Sequence, residues 1–187
     1  GMSADRPVVI LSENDLEHAL LALGCLVAGV PFVPTSPAYS LISQDFDKLR
    51  HVLKTVTPGM VFAADAARYG KAIAAAVDPN IEVVLTHGAQ GSLDGRQVTP
   101  FDELTATVAT AAVDTAMQAT GPDTIAKFLF TSGSTKMPKA VINTQRMWCA
   151  NQQQMAQSMP VLAKEPLVLV DWLPWNHAFG GNHNFGM

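Results

Sequence analysis

Charge is scarce in this sequence. Charged residues make up only 15% of the 187, the net charge is −4, and no segment gathers lysines and arginines into a basic stripe. A general nucleic-acid binder or a membrane-surface binder is thereby excluded, because both depend on clustered positive charge. Any phosphate binding must be local. Cysteine is scarcer still: Cys25 and Cys149 stand far apart with no C-x-x-C spacing. They read as two buried structural thiols in a reducing compartment. Long apolar runs are missing as well. The longest, residues 19–33, is short for a membrane span and is broken by Gly24, Gly29 and Pro31. The start has no basic segment followed by an apolar stretch, so no secretion signal is expected. These absences together predict a soluble cytoplasmic protein, with Gly1 a tag remnant ahead of Met2.

Apolar residues, at 48%, are plentiful enough to bury a sizeable core. Residues 7–11 predict a buried strand, and Asn14, with Glu17 three residues on, predicts the cap of a helix. Leu16, Leu20, Leu23 and Val27 share one face of that helix, while Ala19, Leu26 and Val30 widen it. Such a pattern predicts burial on most sides, with Gly29 ending the helix. His18 reads as a surface or capping residue. Strands follow at 30–33, 60–63 and 81–85, helices at 43–57 and 65–77, and His51 and His87 lack the spacing of a metal site. Residues 88–100 read as a polar loop, 101–104 open another helix, and 111–123 read as a linker. Strand and helix alternate, which predicts an α/β fold with a largely parallel, doubly wound sheet flanked by helices. A ligand would then sit near the carboxyl ends of the strands.

The densest chemistry lies at residues 130–140, F-T-S-G-S-T-K-M-P-K-A. Hydroxyls from Thr131, Ser132, Ser134 and Thr135 crowd around Gly133, with Lys136 and Lys139 following. A polyphosphate needs donors, close backbone approach and positive charge at one place, and this string supplies all three. The bland alternative is a Ser/Gly/Thr hairpin turn that contains lysines. Its flanks, 126–130 and 140–144, both predict short strands. Thr144 then predicts the cap of a helix that Pro160 closes, and 167–170 predict another strand.

A second unusual stretch, residues 171–181, places Trp172, Trp175, Phe179 and, a little beyond, Phe185 close to His177 and a glycine pair. Such a cluster suits a flat apolar acid. It equally suits a core strand end with packed tryptophans. His177 and His183 lack a Cys or carboxylate to complete a metal site, so no metal ligands are assigned.

The loop is not a Walker A motif. Counting from Gly133, Pro138 occupies the place of the second glycine and Ala140 that of the Mg-holding hydroxyl, and a strand rather than a helix follows. Residues 130–139 instead resemble the phosphate loop [FY]-T-S-G-[ST]-T-G-x-P-K-G of adenylate-forming enzymes. This acyl- and aryl-CoA synthetase superfamily also contains luciferases and peptide-synthetase adenylation domains. Residues 14–37 resemble the family's capped helix, strand and proline turn, and 172–180 its aromatic-and-histidine segment. Within the superfamily, S-P-A-Y-S at 36–40, Q-D-F at 44–46 and V-I-N-T at 141–144 look most like feruloyl-CoA synthetase. Lys136 and Ala140 depart from the pattern, since both stand where the family usually has Gly. Either those positions are not left-handed or the loop is reshaped. Lys136 either adds a phosphate contact or points into solvent.

The resemblance implies an ATP- and Mg²⁺-dependent ligase that adenylates a carboxylic acid, ferulate or a related hydroxycinnamate, and transfers it to CoA. Thr131, Ser132, Ser134, Thr135 and Lys139 would hold the β- and γ-phosphates, with Gly133 permitting close approach. Losing the Lys139 ammonium would then cost roughly 2–4 kcal/mol of transition-state stabilisation. Trp175 and His177 would border the acyl pocket or the adenylate. The partners implied are the acid, ATP and CoA, with no nucleic acid and no membrane span. The family's Y-G-x-T-E segment and lid lysine have no counterpart in these residues. Residues 1–187 are accordingly expected to be a single partial domain, a fragment of the family's N-terminal AMP-binding domain without the C-terminal lid and inactive alone. Self-association through apolar surface near residues 172–185 is expected too. The contrasting expectation is a non-catalytic nucleotide- or partner-binding module that keeps the fold.

Overall fold

The computed structural model describes residues 1–89, 92–93, 95–131, 137–164 and 168–187. Strand β1 (Val8–Leu11) leads into helix α1 (Leu16–Ala28), β2 (Phe32–Pro34), the one-turn α2 (Ala38–Leu41) and α3 (Asp47–Val56). Next come β3 (Met60–Asp65), α4 (Ala66–Ala76) and β4 (Glu82–His87). A small antiparallel hairpin, β5 (Ser92–Leu93) with β6 (Arg96–Gln97), precedes β7 (Thr99–Pro100), α5 (Phe101–Thr105) and α6 (Ala111–Ala119). The last elements are β8 (Ile125–Phe130), β9 (Ala140–Thr144), α7 (Gln145–Ser158), a 3₁₀ turn at Pro160–Ala163 and a π-helical turn at Phe179–Asn184.

The main sheet has seven strands in the order β7-β4-β3-β1-β2-β8-β9, parallel at every pairing except β8–β9. Side chains alternate across a strand, so β1 sends Val9 and Leu11 into one core and Val8 and Ile10 into another. The first core packs under α3 and α4 through Leu49, Val52, Val56, Tyr69 and Ile73. The second packs under α1, α5 and α7 through Ala22, Cys25, Phe101 and Trp148. Covering both faces is what a parallel sheet requires, and the doubly wound α/β fold expected from the alternation is present.

Several local expectations are corrected. Asp15 caps α1, accepting from the His18 N–H at 2.7 Å, because its carboxylate reaches the first turn while Asn14 turns away. Helix α1 buries only His18, Ala22 and Cys25; Leu16, Leu20, Leu23 and Val27 are exposed. Its apolar residues run nearly all round, so sequence alone could not tell which side meets the sheet. Cys149 is exposed, while Trp148 and Met155 are the residues that α7 buries. The expected linker is mostly α6, capped by Thr110, and the expected polar loop folds into β5, β6 and β7. Residues 168–170 form no strand. They pair with neither edge of the sheet, and an apolar run without a pairing partner gains nothing from extended structure. Gly29 does end α1, at φ 64°, where an added Cβ would also crowd Thr120 Oγ1 at 2.7 Å.

Candidate functional site

Strands β8 and β9 form an antiparallel hairpin whose last register pair is Phe130 with Ala140. Just beyond it the Thr131 N–H donates to the Lys139 carbonyl at 3.0 Å, and the Lys139 N–H donates to Thr131 Oγ1 at 3.2 Å. These bonds close the neck of the candidate phosphate loop. The Thr131 hydroxyl therefore fixes the neck itself. Ser132, Gly133, Ser134, Thr135 and Lys136 lie outside the described residues. Ala140 is a strand residue, and Phe46 and Thr57 are the only non-glycine residues at positive φ among those described. That position thus needs no glycine. Lys139 is exposed and pairs with no carboxylate among the described residues. From outside the loop, α3 presents His51, whose Nε2 lies 2.9 Å from the Pro138 carbonyl oxygen and so carries a proton there.

A cavity of about 560 Å³ opens beside the neck, floored by Leu129, Val141 and Asn143 and walled by Asn176, His177 and Asn182, with Thr131 at its rim. His177 and the phosphate-loop neck are thus brought to one space. Trp175 is not. It turns inward, donating from Nε1 to Asp171 Oδ2 at 3.2 Å and packing on Phe185 with ring centroids 4.7 Å apart. Its edge meets the His18 ring at 5.2 Å.

The wall that carries His177 is fastened from several elements. Asn14, just past β1, donates from Nδ2 to the Leu173 carbonyl at 2.9 Å and accepts from the Trp175 N–H at 3.0 Å. Asn182 donates to Asn143 Oδ1 at 3.2 Å, and Gln152 of α7 donates to the Asn182 carbonyl at 2.8 Å. Gly180 and Gly181 lie directly on the Pro174 and Trp175 carbonyls, where any Cβ would overlap those oxygens. Burial works against the Asp171 carboxylate. Bonds from Asn184, the Leu173 N–H and Trp175 outweigh it and hold its pKa below the usual range.

Sequence reasoning missed three residues here. Asn14, expected as a cap, is a bracket for residues 173–175. His18 is expected at the surface or in the helix cap. It is buried, with Nδ1 3.1 Å from both the Ser12 hydroxyl and the Glu13 carbonyl, and burial pushes its pKa down to about 4. Lys127 lies within an apolar strand, is 1% exposed and has its pKa lowered to about 7 by burial. The signal for Lys127 was available, since a lysine inside an apolar run has to be placed somewhere. For Asn14 and His18 no local pattern existed.

The family model described as AMP-binding enzyme matches residues 1–187. The chain belongs to the AMP-binding enzyme family. No curated protein matches the sequence. Among solved structures, the ATP-bound MatB of Rhodopseudomonas palustris is similar over 99% of this chain and 33% of its own, at 20% identity and a TM-score of 0.69. A red-emitting luciferase of Phrixothrix hirtus is similar over 100% of this chain and 35% of its own, at 18% identity and a TM-score of 0.68. A malonyl-CoA ligase complex holding methylmalonyl-CoA and AMP is similar over 92% and 30%, at 23% identity and a TM-score of 0.61. Identities this low establish the shared fold, and the chain spans about a third of the length of these relatives. Within this AMP-binding fold, no helix among the described residues is long and apolar enough to cross a membrane. The described residues also contain no group of three or more His, Cys, Asp and Glu that could hold a metal.

Proposed function

We propose that this chain carries the phosphate-gripping loop and one wall of the acyl pocket of an AMP-forming acid–CoA ligase, with a hydroxycinnamate such as ferulate as the acid. The observation that carries the reading is that the loop neck, through Thr131, and His177 line one cavity of about 560 Å³. Its mixture of Leu129 and Val141 with Asn143, Asn176 and His177 suits a ligand that is apolar at one end and charged at the other. The exposed Lys139 ammonium is assigned to phosphate charge. Thr131 is assigned to setting the neck, and Ser132, Ser134 and Thr135, with Gly133 admitting the backbone, to donating hydrogen bonds. His177 would face the acid, while Trp175 would support the wall from behind. Bound ATP supplies the leaving pyrophosphate that makes activation of a carboxylate possible; CoA then accepts the acyl group. The residues named here would orient the phosphates and neutralise their charge.

Calorimetric titration of this chain with pyrophosphate tests the reading. Binding is expected, and Lys139→Met is expected to weaken it by about 1.5–3 kcal/mol, tenfold or more, as for one hydrogen bond to a charged group. Absence of pyrophosphate and ATP binding by the unaltered chain would overturn it. Because no stretch of residues 1–187 reads Y-G-x-T-E, ferulate-dependent ATP–pyrophosphate exchange by this chain alone is expected to be undetectable. Robust exchange would show these residues to be self-sufficient.

A further inference from the structure

Lys127 has no obvious reason to be where it is. The β8–β9 register shifts between Ile125 and Lys127, and the Lys127 side chain is buried beside Trp148 of α7. There Nζ sits 4.0 Å from the Trp148 ring centroid and 5.5 Å from that of Phe32. Among the described residues no carboxylate pairs with it. Burying an amine without a counter-charge is unfavourable, and methionine would fill similar space without that cost. Besides a charge facing the Trp148 ring, the amine supplies a donor that methionine lacks, and it donates to the Gly181 carbonyl at 2.7 Å.

Gly181 precedes Asn182, which lines the cavity, and Leu129 of the cavity floor lies two residues along β8 from Lys127. The amine therefore ties the floor strand to the wall that carries His177. We propose that Lys127 is a positioning residue whose buried amine holds the Gly181 carbonyl and so fixes the spacing between the β8–β9 floor and the His177–Asn182 wall of the cavity. The ligand half of this inference rests on the function proposed above; the spacing half does not.

The test compares Lys127→Met and Lys127→Arg with the unaltered chain. In Lys127→Met, amide exchange at residues 177–182 is expected to quicken by about tenfold while β3 and β4 stay protected. Lys127→Arg, which keeps a donor, is expected to restore slow exchange. Ferulate affinity should fall with Lys127→Met and pyrophosphate affinity should not. Unchanged exchange in Lys127→Met would overturn the proposal, as would uniform quickening across the sheet. If Lys127→Met does not fold, the unaltered chain decides. The Gly181 carbonyl ¹³C resonance should show an isotope shift when the Lys127 amine is deuterated, and its absence would overturn the bond. If the unaltered chain binds neither ferulate nor pyrophosphate, the functional reading fails, while faster exchange in Lys127→Met still supports the positioning role.

Discussion

At one end of the main sheet, β3 and β4 bury Val61, Phe62, Val83 and Val84 completely, with helices over both faces. At the other end, β9 leaves Val141 and Ile142 exposed, and the nearby residues 171–186 are fastened by side-chain hydrogen bonds. The first end is held by close packing, which is non-directional and resists being shifted. The second relies more on a few directional bonds, each removable singly, beside the ring contacts of Trp175 and Phe185. The candidate site lies at the second end. Groups that must meet a ligand have to leave room for it, so hydrogen bonds replace the packing that a ligand would displace.

The largest expected effect belongs to the packed end. Phe62→Ala should cost about 3–5 kcal/mol in urea denaturation, since the ring is buried against Phe101 at 5.4 Å. A cost under about 1 kcal/mol would erase the contrast. Acid should act next, and at the site end. The pKa of His18 is near 4 when folded against 6.5 as its ordinary value, so the unfolded chain takes up the proton first. Stability then rises with pH between about 4 and 6.5 and is lost on acidification through that window, by up to roughly 3 kcal/mol. His18→Gln should flatten this part of the pH profile. A mutant profile as steep as that of the parent would remove His18 as the cause.

Asn14→Ala removes both bonds to residues 173–175 and should cost about 1–2 kcal/mol, with faster amide exchange at Trp175 and none at β4. Equal exchange at both ends would count against the division. The smallest effect on stability belongs to Trp172, 81% exposed, whose change to Ser should alter it by no more than about 0.5 kcal/mol. We propose that it nevertheless contributes to self-association, together with Val168 and Val170, which are 96% and 95% exposed. Light scattering should then show the unaltered chain associating and Trp172→Ser shifting toward monomer. A parent chain that stays monomeric at high concentration would sink the idea.

The packed end was the legible one. Helix α3 presents Leu49, Val52, Leu53 and Val56 on one face as its spacing implies, and Asp65 caps α4 as a carboxylate at a strand-to-helix turn should. Local periodicity suffices when the partner is a broad apolar sheet. At the site end the sequence singles out residues 130–139 and the stretch around His177; the structure brings Thr131 and His177 to one cavity, and residues 132–136 lie outside the described residues. Asn14, His18 and Lys127 act on residues more than 50 positions away, and no local pattern encodes a partner at that distance. The exposed side of α1 and the unpaired residues 168–170 failed for the same reason. Apolar content states that burial is favourable without stating what will do the covering.

The insertion of β8 beside β2, with Phe32 aligned to Lys127, also bears on how the chain is made. Strands β1 to β4 pair with one another in the order β4-β3-β1-β2 and are free to align before β8 emerges, although α5 and α7 complete one of their two cores only later. The outer flank of β2 then stays an open edge until β8 is synthesised, with its backbone donors and acceptors unpaired. Pairing across so long a stretch is slow, because the intervening chain must be ordered first. Aggregation during expression should therefore track the delay before β8 arrives, and solubility should respond to translation speed across α5 and α6 more than to changes at the mature surface.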